Sequence, residues 1–404
     1  MSPPLASGQV RQRLEARREQ AVEWLLALVG THSVAPNEEN AQRIVADIAR
    51  SEGLTATTHG CDATLCQDPR FIETGLPYDG RSNLVVEVPG AVGQPLVLNA
   101  HIDTVVAGEG WMHNPAGELL DGRVYGLGAA DTKASMVAGL LAAAVLAELD
   151  QPPAFVLHSV IDEEPSGNGT LALLRSLGGD APRPWLVVVG EPTGLDLCPG
   201  HRGMLWYQVD CIGRQAHGAT GGGINAIELA ADVVTALRSV NQAWAAEDPG
   251  PYGVPNSNIG IIRGGEEVYT TPGKCQLDIS VRYAPGDGPR VRQAAERAMA
   301  SAADGVRIEL VGEVDAAETP QNDPALLALR EALEQQHPSF KLDYLSGGCD
   351  MRHYRNLLGV PAVVFGPGDL GMAHAADEYV EIDQIVTAAA VLVQLASLNP
   401  EESI

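Results

Sequence analysis

The sequence predicts an α/β protein: a mainly parallel central sheet with helices on both faces, interrupted by an inserted ferredoxin-like α/β sandwich. Three observations carry that expectation. Short apolar runs, the form taken by strands buried on both faces, alternate with segments of helical periodicity. Three of these runs end in imidazole or carboxylate residues: residues 95–100 lead into His101-Ile-Asp103, residues 154–161 into Asp162-Glu163-Glu164, and residues 185–190 into Glu191. After His201-Arg-Gly203 the pattern changes to half-exposed strands in the order β-α-β-β-α-β.

In chain order, Val10, Leu14, Val22, Leu25, Leu26 and Val29 share one helical face and predict a single helix over residues 9–29. A second helix is expected over 38–50, with Asn37 as its N-cap. Residues 61–82 read as loop, with Asp68-Pro69 and Tyr78-Asp-Gly-Arg81 as turn signals. Strands follow at 83–88 and 96–100, then a helix at 133–149, a strand at 155–161, a helix at 168–177 and a strand at 186–189. The insert carries strands at 204–212, 258–263, 275–283 and 306–311, with helices at 225–244 and 290–302. A helix at 324–335, a strand at 362–365 and a helix at 383–397 complete the first domain. The expected division is 1–202 and 315–404 for the catalytic domain and 203–314 for the insert.

At 404 residues, 45% hydrophobic and 19% charged, the chain can bury substantial cores. Its net charge of −26 argues against nucleic acid or anionic membrane as partner, because phosphates need a basic surface. The longest apolar stretch, residues 136–149, is too short to span a bilayer. Arg11, Arg13, Arg17 and Arg18 are not followed by a signal-peptide core, so a cytoplasmic location is expected. Six scattered cysteines fit reduced thiols, and Cys61 and Cys66 lack the second pair that a structural zinc site needs.

Five residues read as metal ligands: His101, Asp131, Glu164, Glu191 and His374. Open α/β sheets bind ligands beyond the carboxyl ends of their strands, where several of these stand. Mixed imidazole and carboxylate donors suit zinc, with cobalt or manganese as alternatives. Five ligands exceed what one catalytic zinc takes, so two divalent ions sharing a carboxylate are expected, with Asp131 as the bridge. Asp103 follows His101 by two positions, which points both side chains the same way along an extended backbone. Its carboxylate is expected to accept a hydrogen bond from the far nitrogen of the His101 ring. Glu163 and Glu164 are adjacent, so one can ligate a metal while the other acts as general base.

These residues resemble the dinuclear zinc amidohydrolases that include acetylornithine deacetylase, succinyl-diaminopimelate desuccinylase, aminoacylase-1 and carboxypeptidase G. The resemblance spans nearly the whole chain. It rests on His101-Ile-Asp103-Thr-Val, Tyr125-Gly-Leu-Gly-Ala-Ala-Asp131-Thr-Lys133, Asp162-Glu163-Glu164, Gly190-Glu191-Pro-Thr and Ala373-His374-Ala-Ala-Asp377-Glu378, in that order. It implies that His101, Asp131 and Glu191 hold one metal, that Asp131, Glu164 and His374 hold the other, and that Glu163 is the base. It also implies a cis peptide at Asp131–Thr132.

By the same resemblance, Gly213-Arg-Gln-Ala-His217-Gly-Ala and Gly223-Ile-Asn225-Ala-Ile227 mark the insert as a lid through which a homodimer forms. His217 would then stabilise the oxyanion in a partner subunit. Arg282 matches an arginine that binds a substrate carboxylate, and Gly348 lies in a Gly-rich substrate loop, residues 346–352. Two departures stand out. Ala134-Ser135 replace a common Gly-Gly, and Tyr269-Thr-Thr-Pro272 replaces an asparagine-bearing stretch, leaving Asn258 as a substitute donor in the substrate pocket. The segment 366–374 and the loop around Asp68-Pro69 resemble the acetylornithine deacetylase branch and its pyrimidine deformylase relatives. The expected reaction is therefore N-acyl-amino-acid deacylation of a small carboxylate-bearing substrate. The alternatives are a dipeptidase or carboxypeptidase of the same chemistry, a pyrimidine deformylase-like amidohydrolase and, in a different class, a non-catalytic binding homologue.

Overall fold

The computed structural model describes residues 6–179 and 181–398. They form helices α1 (Ser7–Glu15), α2 (Arg18–Val29) and α3 (Glu39–Ser51), then strands β1 (Thr55–Gly60), β2 (Ser82–Glu87) and β3 (Val92–His101). Helix α4 (Ala134–Ala147), strand β4 (Pro153–Val160), helix α5 (Asn168–Leu177) and strand β5 (Leu186–Val189) follow. Strand β6 (Gly203–Ile212), α6 (Ala226–Trp244), β7 (Asn256–Gly264), β8 (Lys274–Tyr283), α7 (Gly288–Ala300) and β9 (Val306–Val314) make up the insert. Helix α8 (Pro324–Gln336), strand β10 (Ala362–Val364) and helix α9 (Ile382–Ala396) complete the chain. Two compact units result: residues 1–199, 318–343 and 349–404, and residues 200–317 with 344–348. Residues 344–348, expected in the first unit, pack with the second.

The first unit is built on a six-stranded sheet in the order β1-β2-β4-β3-β5-β10. Strands β4, β3, β5 and β10 are parallel, and β1 and β2 add an antiparallel edge. One face carries the main core, where Leu96, Leu98 and Leu157 of the sheet meet α4 and α9. A Cβ on Gly139 would lie 2.5 Å from Leu98 Cδ2, so glycine lets α4 settle directly on the strands. The other face is covered in part by α5, whose Leu173 packs with Val85 and Val160. Among the described residues one helical stretch, Ala129–Ala147, is long and apolar enough to cross a membrane, and it is wholly buried. It takes in residues 136–147 of the apolar run and serves as a core helix.

Three local expectations are corrected. The helix expected over 9–29 breaks at Arg17 (φ −105°, ψ 9°), because residues 15–20 offer no apolar side chain larger than Ala16 to hold its middle. The Arg17 guanidinium instead pairs with Glu52 at 2.7 Å and Glu148 at 2.8 Å. Asn37 does not cap α3; its side-chain amide donates to the Val34 carbonyl. Strand β1, and a small sheet of Glu118–Leu120, Arg123–Tyr125 and Tyr379–Glu381, went unpredicted.

In the second unit an antiparallel sheet in the order β7-β8-β6-β9 packs against α6 and α7. Leu205, Tyr207, Val209 and Cys211 alternate inward on β6 and meet Val233 and Leu237 of α6 and Val291 and Met299 of α7. Asn225 caps α6 by accepting the Ile227 N–H at 3.0 Å. All six cysteines are free thiols.

Candidate metal centre

The carboxyl ends of the parallel strands bring seven of the predicted residues together. His101 ends β3 and is buried. Glu163 and Glu164 follow β4, and Glu191 follows β5. Asp131 lies in the turn before α4, with non-helical backbone (φ −114°, ψ 90°) and a cis peptide to Thr132. His374 projects from the loop after β10 at φ 60°. Ligand atoms of His101, Asp131 and Glu191 lie within 4.8 Å of one another, and those of Asp131, Glu164 and His374 do likewise. Asp131 is common to both groups. Its Oδ1 is 3.0 Å from His101 Nε2 and its Oδ2 is 3.5 Å from His374 Nε2. His374 Nε2 is also 2.9 Å from Glu164 Oε2.

Asp103 supports the centre differently from expectation. The far nitrogen of His101, Nδ1, meets the backbone carbonyl of Asp103 at 3.0 Å, while the nearest carboxylate oxygen is 3.7 Å away. That carboxylate instead accepts the backbone N–H groups of Glu163 and Glu164, each at 3.1 Å. The extended backbone after β3 turns the carbonyl toward the ring, which frees the side chain to reach across to the neighbouring strand end.

The cluster concentrates negative charge. Among the described residues no lysine or arginine forms an ion pair with Asp103, Asp131, Glu163, Glu164 or Glu191; their ion-pair partners there are His101 and His374. Burial, reinforced by Glu191, pushes the Glu163 carboxyl well above the usual range. Burial, with Asp131 next to it, raises Glu191 to about 8. Burial raises Asp103 to about 7. Burial also acts on Asp131, but hydrogen bonds from His101 and His374 outweigh it and hold that carboxyl low. Asp131 and then Glu164 raise His374 to about 10. So many buried acids with so few cations are costly unless positive charge is supplied. Two sets of oxygen and imidazole donors sharing one carboxylate fit a pair of divalent transition metals.

Two supports were missed in the sequence. The buried Glu378 carboxylate accepts N–H groups from Gly128 at 2.9 Å, Ala130 at 2.8 Å and Asp131 at 3.0 Å, and so holds the turn that presents Asp131. Asp162, at φ 61°, accepts from Tyr78 Oη at 2.7 Å and from Arg81 at 2.8 Å, anchoring the turn that presents Glu163. Glu378 stood inside a quoted motif, and Tyr78 and Arg81 inside a quoted turn, but nothing in their spacing showed which backbone they would hold.

The remaining predicted residues lie in the second unit. His217 is exposed on a two-residue strand paired with Thr270–Thr271, and its Nδ1 accepts the Ala219 N–H. Asn258 is exposed on β7, and Gly348 lies against Val314, where a Cβ would come within 2.4 Å of Cγ1. Arg282 is half-buried on β8, and burial lowers its pKa. A second arginine, Arg202, was missed: burial, and then the charge of Arg282, lower its pKa too. Neither guanidinium pairs with a carboxylate among the described residues, although Arg202 donates to the Val254 carbonyl and to Asn256 Oδ1.

A doubly wound sheet with imidazole and carboxylate donors gathered beyond its parallel strand ends defines the class of α/β metallohydrolases. Within that class the chain belongs to peptidase family M20/M25/M40, whose pattern matches residues 97–398. It is 27% identical over 374 residues to a probable carboxypeptidase of Aspergillus terreus, covering 89% of this chain and 82% of that protein. It is 29% identical over 314 residues to an acetylornithine deacetylase of Edwardsiella ictaluri, covering 74% and 79%. An M20 metallo-carboxypeptidase structure from Sulfolobus solfataricus superposes with a TM-score of 0.77 at 15% identity, covering 95% of this chain and 99% of that one, and so shares the fold. The protein is a hydrolase of peptide or amide bonds.

Proposed function

We propose that this chain hydrolyses an amide bond in a small, carboxylate-bearing substrate, and that N-acyl amino acids are its substrate class. The observation that carries the reading is the sharing of Asp131 by two donor groups with Glu163 beside them. His101, Asp131 and Glu191 would hold one divalent ion, and Asp131, Glu164 and His374 the other, with zinc the first choice and cobalt or manganese able to replace it. When bound, such a pair supplies Lewis acidity and a water of lowered pKa.

The chain's own residues do the rest. A Glu163 carboxylate oxygen takes the proton from the attacking water and returns it to the leaving nitrogen. Asp103 holds Glu163 and Glu164 in place through their backbone N–H groups. Arg282 receives the substrate carboxylate through parallel hydrogen bonds, and its lack of an acidic partner leaves it free for that anion. Arg202 adds positive potential at the same place. By the resemblance, His217 donates to the developing oxyanion in a homodimer formed through the insert and Gly348 lies in the substrate loop, while Asn258 replaces the donor lost at the 269–272 departure. A carboxypeptidase or dipeptidase activity is the second reading, favoured by the probable carboxypeptidase that covers most of this chain. A panel of N-acetyl and N-formyl amino acids against dipeptides, assayed with zinc and with cobalt, separates the two. Preference for dipeptides by tenfold or more in kcat/KM overturns the deacylase reading, and no hydrolysis of either class overturns both.

A further inference from the structure

A cavity of about 590 Å³ lies in the first unit, at the end of the sheet opposite the metal donors. Strand β3 lends it Pro95 and Val97 and presents His101 only at its far end. Four residue steps of extended chain separate Val97 from His101, roughly 13 Å at strand rise. Strand β4 lends it Ala154, Val156 and His158, whereas Glu163 and Glu164 follow that strand's other end. Leu174 and Leu177 of α5 form the opposite wall. Val156 is only half-buried although its strand is paired on both sides, because α5 leaves the sheet uncovered there.

Among the polar groups that line this largely apolar space, His158 has its hydrogen-bond direction set by buried neighbours. Asn99 Nδ2 donates one hydrogen to Thr170 Oγ1 and the other to Tyr354 Oη, both at 3.0 Å. Thr170 passes its own hydroxyl proton to Asp350 Oδ2 at 2.6 Å. Tyr354 accepts from Asn99, and His158 Nδ1, at 2.8 Å, is the only acceptor among the described residues for its own buried proton. Nδ1 is therefore an acceptor, and the proton of the neutral ring sits on Nε2. Burial, with the charge of His59 adding to it, lowers His158 to about 3 and keeps the ring neutral at physiological pH. His158 is 5% exposed, and Nε2 has no hydrogen-bond partner among the described residues.

We propose that this cavity is a second binding site, for a small neutral molecule with an aromatic or branched aliphatic body and one hydrogen-bond acceptor, such as a ketone or amide carbonyl, that accepts from His158 Nε2. The volume falls within the range of ligand pockets, and apolar walls with one fixed polar group are what such sites offer. Among the described residues Glu87 and Arg183 are the only charged side chains lining the cavity, one of each sign, so between them they offer a ligand no net charge.

The test uses the full chain and fluorine NMR titration with two matched probes, para-fluoroacetophenone and para-fluorocumene, the second lacking the acceptor. Saturable binding of the ketone is expected. His158→Phe should weaken the ketone about fivefold, the worth of one hydrogen bond, and leave the hydrocarbon within about twofold. Leu177→Trp, at the half-buried end of α5, should weaken both by narrowing the space. Ala154→Trp serves the same purpose from the sheet if either variant fails to fold by circular dichroism. No saturable binding of the ketone, or affinity for both probes unchanged by the narrowed cavity, overturns the site. Equal loss of both probes on His158→Phe overturns the role of the imidazole as donor.

Discussion

The carboxylate of Asp103 accepts the backbone N–H of Glu164 at 3.1 Å, joining the end of one parallel strand to the turn that follows its neighbour. Its second oxygen does the same for Glu163. One buried side chain thus sets the positions of the proposed base and of one proposed ligand, while the backbone of the same residue orients the His101 ring.

Asp103→Asn keeps one acceptor but turns an amide N–H₂ toward the other backbone donor. The expected loss is about 1–3 kcal/mol of stability, the cost of an unsatisfied buried donor. Metal affinity should fall about 10–100-fold, as when other groups supporting metal ligands are removed. Denaturant melts and metal content after dialysis read both, and wild-type values for both contradict the role given to this carboxylate.

Asp131 is the only residue common to the two donor groups. Asp131→Ala is expected to retain neither metal, whereas Glu191→Ala and Glu164→Ala should each retain about one. Plasma mass spectrometry of the purified variants counts them. Retention of one tightly held metal by Asp131→Ala rules out the bridge.

Glu163→Gln leaves every proposed ligand in place and removes the group that accepts the proton. Metal content should be unchanged and kcat should fall about 10²–10⁴-fold, the usual contribution of a positioned general base. A variant with full metal and undiminished turnover excludes Glu163 as the base.

His158 makes stability depend on pH. Its folded pKa of about 3 lies below the value of about 6.5 for an exposed histidine. Between those values the unfolded chain binds the extra proton, so this contribution is complete above about pH 6.5 and is lost as the pH falls. At pH 5 the loss amounts to about 2 kcal/mol. Urea unfolding at pH 7.5 and pH 5, on the parent and on His158→Asn, isolates the effect. The variant is expected to be less stable at pH 7.5 but to lose about 2 kcal/mol less between the two conditions, and equal losses would show that His158 is not buried as a neutral ring.

The strands that carry the site were readable because each is buried on both faces, and burial leaves an uninterrupted apolar run in the sequence. Strand β5 and helix α5 fall at the residues expected. Strand β1, Thr-Ala-Thr-Thr-His-Gly, was not readable: it is a largely exposed edge and needs no apolar pattern. The three-residue strands of the small sheet are too short to show any period.

For the site, apolar runs that end in imidazole or carboxylate marked His101, Glu163, Glu164 and Glu191 as candidates, while Asp131 was marked by its place before a helix and His374 by its place in the loop after a strand. Tertiary structure decided which atom each one uses. Asp103 reaches Glu163 and Glu164 rather than the ring two residues before it, Glu378 binds the Asp131 turn across 247 positions of sequence, and Arg202 stands near Arg282. Hydrogen bonds and charge contacts of this kind depend on distances of about 3 to 4 Å set by the packing of separate elements, whereas strand and helix patterns are set by burial along a single element and are written locally in the chain.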